Sequence, residues 1–334
     1  MACGLPVSAA EGTLQLPQLD FDVASLGIIV ADVLARPVDT MPELGKLVLV
    51  DNVALHLGGL AAATSRVLAK LGARVALIGN VGTDGFGEFV LETLRESGVN
   101  TDAVNRSTEA NTSVTLVLVS TDGERSFFHY TGASDTVREG DVDFGIVERA
   151  RILHFGGPFL MKQLDGEPIA RILARARSMG KLTSMDTAWD GKRRWLQLIE
   201  PSLEHLDIIH ASLEEARAIT GKDEPDEIAR FLQPYGIGTV VIKMGADGCY
   251  IQGDDEVHRI EGVSVDVVDT TGAGDAFVGG FLYGVSRDWS LDECGKFANA
   301  VGALTVTRIG GSEAVESYEA TVAFMKERGI PWPH

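Results

Sequence analysis

The residues that could do chemistry are concentrated in one segment, 267–284, which reads VVDTTGAGDAFVGGFLYG. Its apolar start predicts a strand that ends at Val268, and the pattern after the glycines predicts a helix. Small residues between a strand and a helix let successive backbone N–H groups face one space, where the helix dipole adds to their positive potential. The turn at Gly272, Ala273 and Gly274 is therefore a candidate anion site.

Asp275 follows these glycines in the first turn of the predicted helix. One interpretation is structural, because a carboxylate at a helix start often accepts hydrogen bonds from free N–H groups. The other is a general base that deprotonates a hydroxyl group while the anion site holds a transferring phosphoryl group. The segment matches neither the Rossmann pattern with its acidic residue nor the P-loop pattern. Both interpretations of Asp275 stay open at this point.

The string DTTGAGDAFVGGFL resembles the C-terminal signature of the ribokinase-like (PfkB-type) carbohydrate kinases. The N-terminal signature of that family is similar to Gly58-Gly59, the Leu71-Gly72 end of the next helix, and the string IGNVGTDGFG at 78–87. The resemblance extends from about Val23 to about Gly329. It implies an enzyme that transfers the γ-phosphoryl group of ATP to a hydroxyl group of a sugar or nucleoside.

The resemblance also implies roles for particular residues. Asp275 matches the catalytic base, and the three residues before it match the anion hole. Asp32, after the predicted first strand, matches an aspartate that binds substrate hydroxyls, although an aspartate there could also be a turn or cap residue. Gly58 and Gly59 match a pair that lets the sugar approach the backbone, since adjacent glycines otherwise cost conformational entropy. Ala63 stands where the family usually has an asparagine that could bond a sugar hydroxyl.

A second group of residues matches the ATP side of the family site. Glu215 is expected to hold Mg²⁺ through water, because Mg²⁺ usually keeps several waters and needs few carboxylates. The expected nucleotide-binding residues are Ser212, Lys243, Gly245, Gly248 and Asn299. Structural alternatives exist for each: an exposed helical turn for the glutamate, a surface lysine, hairpin glycines and a packed asparagine. Ser212 and Ala188 replace family asparagines.

Two further expectations rest on the resemblance alone. Some members need K⁺, and carbonyl oxygens at 269–271 and 308–314 could supply such a site, although Ala314 stands where the family often has serine. Lid sheets often pair between subunits, so a homodimer through the lid is a candidate partner arrangement.

The elements that must position these residues alternate along the chain. Apolar runs such as 75–78, 152–155, 182–185, 206–210 and 239–244 are typical of buried strands, and helix-length segments lie between them. This alternation predicts an α/β fold, a mostly parallel sheet with helices on both faces. The resemblance makes it a ribokinase-like three-layer fold.

Two segments interrupt this alternation. Residues 46–57 and 113–130 are rich in strand formers without an intervening helix, and the second contains the hairpin signal Asp122-Gly123. We expect a small β lid from about 32–57 and 110–132, within one kinase domain at 21–334. Residues 1–20 are expected to form a flexible tail. An edge extension of the main sheet is the alternative for the lid.

Composition limits the partners. The chain has 334 residues, with 29 Lys and Arg against 48 Asp and Glu, a net charge of −19. Such a charge argues against nucleic acid and anionic membranes as partners. The three scattered cysteines fit a reducing cytoplasm, and we find neither a membrane-length apolar run nor a signal-peptide pattern.

The sequence thus predicts a sugar kinase that binds ATP, Mg²⁺ and a small-molecule sugar. A nucleoside kinase on the same fold is an alternative, with Phe127, Phe128 and Tyr130 as base-stacking partners. A sugar-binding regulatory protein with little turnover is another, favoured by Ala63 and Ala188 and opposed by the intact Asp275 turn.

Overall fold

The computed structural model describes residues 19–308 and 310–334, so the predicted tail at 1–20 lies almost entirely outside the described residues. The strands of this part are β1 (Phe21–Gly27), β2 (Val30–Arg36), β3 (Asn52–Gly58), β4 (Val75–Gly82), β5 (Asn100–Ser107), β6 (Ser113–Val119), β7 (Arg125–Tyr130), β8 (Ala150–Gly156), β9 (Leu182–Asp186), β10 (Ile208–Ser212), β11 (Thr239–Lys243), β12 (Cys249–Gln252) and β13 (Val257–Ile260).

The helices of the described part lie mainly between these strands. They are α1 (Leu60–Lys70), α2 (Gly85–Glu96), α3 (Phe144–Glu148), α4 (Glu167–Ser178), α5 (Trp195–Leu203), α6 (Leu213–Thr220), α7 (Pro225–Leu232), α8 (Ala273–Ser286), α9 (Leu291–Thr305) and α10 (Tyr318–Glu327). Several helices begin at a capping side chain; Asp84, for example, accepts a hydrogen bond from the Gly87 N–H at the start of α2.

Nine strands form the central sheet in the order β13-β12-β11-β10-β9-β8-β1-β4-β5. Seven neighbouring strands of this sheet pair in parallel, namely β11, β10, β9, β8, β1, β4 and β5. Strands β12 and β13 continue the sheet as an antiparallel edge. Every residue of β4 is buried, as expected for a parallel strand covered on both faces. The predicted three-layer α/β architecture is confirmed.

Two apolar clusters cover the two faces of this sheet. One joins the sheet to residues of α3, α4, α5, α6 and α7, including Ile172 and Leu203. The other joins it to α1, α8, α9 and α10, including Phe281 and Phe297. Burial on both faces fixes the register of each strand relative to its neighbours. It therefore fixes the positions of the side chains at the carboxyl ends of the strands.

A second sheet of four strands, which we call the lid sheet, has the order β3-β2-β6-β7. Successive side chains along each strand point to opposite faces of this sheet. Asp32, His56, Thr115 and His129 occupy aligned positions on one face, and the adjacent aligned row carries Val33, Leu55, Leu116 and Phe128 on the other. The face of the lid sheet toward the central domain therefore carries this polar row, with the apolar row Leu34, Ala54, Val117 and Phe127 beside it, and the opposite face is apolar.

Three details differ from the sequence predictions. The predicted first strand, which precedes Asp32, is two strands, because the chain leaves the central sheet after Gly27 and enters the lid sheet at Val30; Asp32 therefore lies inside a lid strand. The predicted strand at 46–57 begins only at Asn52, and the exposed residues before it form no strand. The strand predicted to end at Val268 is absent as well, because residues 261–268 run beside the site without a ladder partner.

Among the described residues, no helix combines the length and apolarity that a membrane crossing requires.

Candidate active site

The glycine turn lies at the start of helix α8, as predicted. Gly272 is the N-cap residue with φ of 72°, in the left-handed region, and a Cβ there would lie 3.3 Å from the Cα of Gly311. The Ala273 N–H donates to the Thr270 carbonyl at 3.3 Å, which closes the turn. The N–H groups of Gly274 and Asp275 belong to the first helical turn, where no partner exists within the helix. They are the donors best placed to receive an anion.

Asp275 lies between two cavities and lines both of them. Its backbone carbonyl accepts a hydrogen bond from Thr64 Oγ1 at 3.1 Å, which joins α1 to the start of α8. Loss of hydration raises the pKa of Asp275 to about 6; Lys243 opposes this rise, and the nearby carboxylates of Asp32 and Glu215 add to it. A carboxyl group with this pKa is mostly ionised at pH 7 and still basic enough to take a proton.

The larger cavity has a volume of about 1010 Å³. It is lined by every residue predicted for the nucleotide side, namely Ser212, Glu215, Lys243, Gly245, Gly248 and Asn299. Ala273 and Gly274 line it as well. The fold thus brings together residues that are up to 87 positions apart, because β10, β11 and α8 all end or begin at the same edge of the sheet.

Gly248 and Asn299 each have a clear structural reason for their identity. Gly248 has φ of 91°, and a Cβ there would lie 2.0 Å from the Ile260 carbonyl oxygen. The Asn299 side chain donates from Nδ2 to the carbonyls of Ile260 and Glu261, at 3.3 and 3.1 Å. Gly245 has φ of 59° and open space around it. These residues hold the cavity wall in a shape that exposes backbone to the cavity.

Ser212 and Glu215 form a capping box at the start of α6. The Glu215 N–H donates to Ser212 Oγ at 3.2 Å, and Glu215 Oε2 accepts from the Ser212 N–H at 3.0 Å and from Thr187 Oγ1 at 2.9 Å. The pair therefore fixes a carboxylate in the cavity wall, and the helix cap accounts for the serine.

Lys243 does not extend to the surface, so the alternative of a surface lysine is wrong. Its Nζ donates to Asp186 Oδ1 at 2.6 Å, and the side chains are 14% and 1% exposed. Burial alone would lower the pKa of Lys243, but Asp186, Glu215 and Asp275 outweigh burial and raise it. Burial raises the pKa of Asp186 to about 7, and Asp275 and Glu215 add to the rise, against Lys243. The single ammonium group of Lys243 thus interacts electrostatically with the three carboxylates of Asp186, Glu215 and Asp275.

The smaller cavity has a volume of about 50 Å³, room for only a few water molecules. It is lined by the residues predicted for substrate, Asp32, Gly58 and Gly59, and also by Gly272, Asp275 and Ala63. A Cβ on Gly58 would lie 2.1 Å from Asp32 Oδ2, so this glycine makes room for the carboxylate. Burial raises the pKa of Asp32 to about 6, against a hydrogen bond from Thr115 and the nearby His56.

The lid sheet touches the glycine turn directly. Arg125 Nη1 donates to Thr271 Oγ1 at 2.6 Å and to Asp269 Oδ1 at 3.3 Å, and its Nη2 donates to Thr270 Oγ1. Gly59 starts α1 with φ of 92° where the chain returns from the lid. The small cavity is therefore closed by the lid in this structure.

Sequence reasoning missed three features of this site. The Asp186–Lys243 ion pair had a signal, since the two residues end parallel strands, β9 and β11, that lie on either side of β10 in one sheet. His56 and Glu313, which meet beside the small cavity, are 257 positions apart and had none. Trp189, which is 59% exposed and lines the large cavity, also had no signal.

A divalent metal would find few protein ligands here, since no group of three or more His, Cys, Asp or Glu residues in the described ranges could hold one. The carboxylates of Glu215 and Asp186 nevertheless lie in the large-cavity wall, and Asp186 Oδ2 is buried without a hydrogen-bond partner. One or two carboxylates together with nucleotide phosphates are what Mg²⁺ usually takes, so the donor set fits.

Comparison with known proteins agrees with this geometry. A family model described as pfkB family carbohydrate kinase matches residues 20–317. The chain is 33% identical over 301 residues to "Probable fructokinase-6, chloroplastic" of Arabidopsis thaliana, covering 85% of this chain and 78% of that protein. A fructokinase from Xylella fastidiosa, solved with bound ATP, is similar at 25% identity with a TM-score of 0.79, covering 92% of this chain and 98% of that one.

A ribokinase from Arabidopsis thaliana, solved with ribose and ATP, has a TM-score of 0.82 at 22% identity. The match covers 92% of this chain and 99% of the ribokinase, and it shows a shared fold.

Proposed function

This chain belongs to the pfkB family of carbohydrate kinases and is a sugar kinase, and we propose that Asp275 is its general base and the turn at Gly272, Ala273 and Gly274 its anion hole. The observation that carries this proposal is the position of Asp275 at the boundary of two cavities. One is large enough for a nucleotide, and the other contains the acceptor residues predicted from the sequence.

In the proposed reaction, an acceptor hydroxyl bound beside Asp32 donates its proton to the Asp275 carboxylate. The hydroxyl oxygen attacks the γ-phosphorus of ATP, the bond from that phosphorus to the bridging oxygen of ADP breaks, and the electron pair leaves with ADP. Within this anion hole the N–H group of Gly274, together with that of Asp275 beside it, receives the charge on the phosphoryl oxygens, because the Ala273 N–H already donates to Thr270. The positive charge of Lys243 offsets the negative charges of Asp186, Glu215 and Asp275, which would otherwise repel the phosphoryl group.

We place ATP in the large cavity, with Ser212, Lys243, Gly245, Gly248 and Asn299 around it. Mg²⁺ would be held by Glu215 through water, with Asp186 as a second carboxylate, and when bound it would neutralise phosphate charge. The capping box orients the Glu215 carboxylate and the ion pair orients Asp186.

The K⁺ site at 269–271 and 308–314 stays a prediction. The Asp269 carboxylate there already accepts from Arg125 and from the Thr271 N–H and Oγ1, and Ile309 lies outside the described residues. Comparing turnover in K⁺ with turnover in tetramethylammonium tests the site. A cytoplasmic location also stays a prediction.

The nucleoside-kinase alternative loses support from the lid. Phe128 and Tyr130 lie on the apolar outer face, 53% and 51% exposed, and only Phe127 shares the inner face with Asp32. A single aromatic side chain is a weak platform for a base. Nucleosides therefore enter the experiment below as the second class of acceptor.

We propose that the outer lid face pairs with the same face of a second copy. Val53, Leu55, Leu116, Phe128 and Tyr130 are each at least 36% exposed on one side of a four-stranded sheet. Contiguous exposed apolar surface of this kind marks interaction sites, and a self-complementary patch closes as a two-fold dimer. Sedimentation velocity should show a dimer, and Phe128→Lys should convert it to monomer; a monomeric wild-type protein would contradict the proposal.

A coupled ADP-release assay with Mg-ATP tests the kinase mechanism. The acceptor panel contains pentoses, hexoses, keto-sugars and nucleosides, and Asp275→Asn is compared with Asp255→Asn, an exposed control in the β12–β13 turn. We expect turnover of a sugar, lost by a factor of about 10²–10⁴ in Asp275→Asn and unchanged in the control. Sugar binding without turnover in the wild-type protein would instead favour the regulatory alternative.

A further inference from the structure

His56 and Glu313 meet at the junction of the lid and the central domain. His56 lies on lid strand β3 directly opposite Asp32, and Glu313 lies in the short helical turn Gly311–Ala314. His56 Nδ1 is 3.4 Å from Glu313 Oε1. A Cβ on Gly310 would come within 2.9 Å of Glu313 Oε2 and 3.0 Å of His56 Nδ1, so the glycine leaves the space that the pair occupies.

Glu313 is held in place from the core side. Arg66 Nη1 of helix α1 lies 3.9 Å from Glu313 Oε1, and Lys70 Nζ donates to the Glu313 backbone carbonyl at 3.4 Å. A carboxylate can only accept a hydrogen bond, so Nδ1 of His56 must carry the proton in this contact. In the neutral imidazole, Nε2 is then the acceptor.

His56 Nε2 is buried and has no hydrogen-bond partner in the structure, while the ring lines the small cavity with Asp32 and Asp275. A buried acceptor without a partner costs free energy that a bound ligand can recover. The carboxylates of Asp32 and Asp275 line the same cavity, and among the described residues no lysine or arginine lines it; Asp269, which also lines it, is paired with Arg125. Ala63 adds no donor to this wall.

The cavity therefore offers hydrogen-bond acceptors to hydroxyl groups and negative charge to an anion. We propose that His56 Nε2, oriented by Glu313, accepts a hydrogen bond from an acceptor hydroxyl and, together with Asp32, selects an uncharged polyhydroxy acceptor over a sugar acid or sugar phosphate. This inference rests on the proposed kinase function of the same site. His56 is a specificity-determining residue in this arrangement, and Glu313 is a positioning residue.

Two substitutions of His56 separate its nitrogens. The amide of His56→Asn reaches the position of Nδ1 and can still donate to Glu313, whereas the longer amide of His56→Gln reaches the position of Nε2. If Nε2 binds the acceptor, His56→Asn should raise the acceptor KM about 5- to 100-fold, and His56→Gln should raise it less. The ATP KM and kcat should change little, since a contact made equally before and during transfer affects KM alone.

Glu313 gives a second comparison. Glu313→Gln keeps an oxygen that accepts from Nδ1, whereas Glu313→Leu removes it. We expect the leucine variant to raise the acceptor KM and the glutamine variant to rescue it. Equal effects of both variants would mean that Glu313 only supports its turn, and the positioning role would be wrong.

The decisive measurement is calorimetric binding of neutral sugars and of their acid and monophosphate derivatives to the wild-type protein and the His56 variants, beside the turnover assay. Weaker binding in His56→Asn than in His56→Gln, with neutral acceptors preferred, supports the inference. The reverse order, or equal binding of anionic derivatives, overturns it while leaving the kinase mechanism in place. Sugar binding without turnover would contradict the proposed kinase function but not the role of His56. If no sugar binds, both the kinase function and the role of His56 are overturned.

Discussion

The dependence of activity on pH is a direct consequence of where Asp275 lies. The pKa of this carboxyl group is raised from 3.8 to about 6, chiefly by loss of hydration. A general base acts in its deprotonated form, so activity is present above this pKa and is lost as the pH falls through it. The ionised fraction is about nine tenths at pH 7 and about one tenth at pH 5, so kcat/KM should fall roughly tenfold between these values.

Asp32 shapes this acid limb. Its pKa is also raised to about 6, and its charge adds to the rise of the Asp275 pKa. Two like-charged carboxyl groups titrate as a pair, and protonation of one lowers the pKa of the other, so the limb should be broader than a single protonation. Asp32→Asn removes the like charge, which should lower the pKa of Asp275, move the limb to lower pH and narrow it to a single protonation.

The assay is ADP release at subsaturating sugar between pH 4.5 and 8.5, because kcat/KM reports the free enzyme. Thermal unfolding at each pH excludes acid denaturation as the cause of the fall. A flat profile from pH 5 to 8, or an acid limb that moves to higher pH in Asp32→Asn, would refute the assignment of Asp275 as the base and of its environment as the cause.

Three further predictions concern the surroundings of the base. Lys243→Met leaves Asp186 buried without its partner, so it should lower the free energy of unfolding at pH 8 by about 3–5 kcal/mol in urea titrations and move the acid limb of activity to higher pH; unchanged stability would show that the pair is not buried in solution. Gly248→Ala should raise the ATP KM and destabilise the protein more than Gly236→Ala, which has φ of 78° but open space and should cost about 1 kcal/mol; equal unfolding midpoints would contradict this. Asp275→Asn should raise the unfolding temperature at pH 8. In the wild-type protein the Asp275 pKa is raised from 3.8 to about 6, so up to about 3 kcal/mol of the free energy of unfolding is lost as the pH rises through that range, and the asparagine variant avoids this loss. The difference in unfolding temperature between the two proteins should vanish near pH 4.

The site was predictable where chemistry is encoded locally. The glycine turn and Asp275 are contiguous in the chain, so composition and helix geometry suffice to indicate a candidate anion site with a carboxylate beside it, while the role of that carboxylate as a base rests on the family resemblance. The alternation of apolar runs and helical patterns likewise predicts the central sheet, because a buried parallel strand needs apolar residues on both faces.

The remaining features depend on contacts between distant parts of the chain. The segment 263–268, in which valines alternate with Ser264 and Asp266 before Val268, has the pattern of a strand, yet it lacks a neighbour to pair with, which no local pattern reveals. The move from the central sheet to the lid at Ile28-Ile29 occurs within a continuous apolar run, so hydrophobicity gives no boundary there. Arg125 is 146 positions from Thr271, and only the closed lid brings them together.

The chain enters and leaves the lid sheet at four places, and glycine stands at three of them: Gly27 before β2, Gly59 on the return to α1, and Gly132 after β7; the fourth is the segment 108–112 between β5 and β6. Residues that hold the acceptor lie largely on one side of these junctions, and the anion hole lies on the other. Selection can therefore alter acceptor preference by changing lid residues while the phosphoryl-transfer chemistry stays intact. A chimeric protein that exchanges the four lid strands at these glycines and within 108–112 should change its sugar and keep its ATP site, with Arg125 as the lid residue that the exchange must retain.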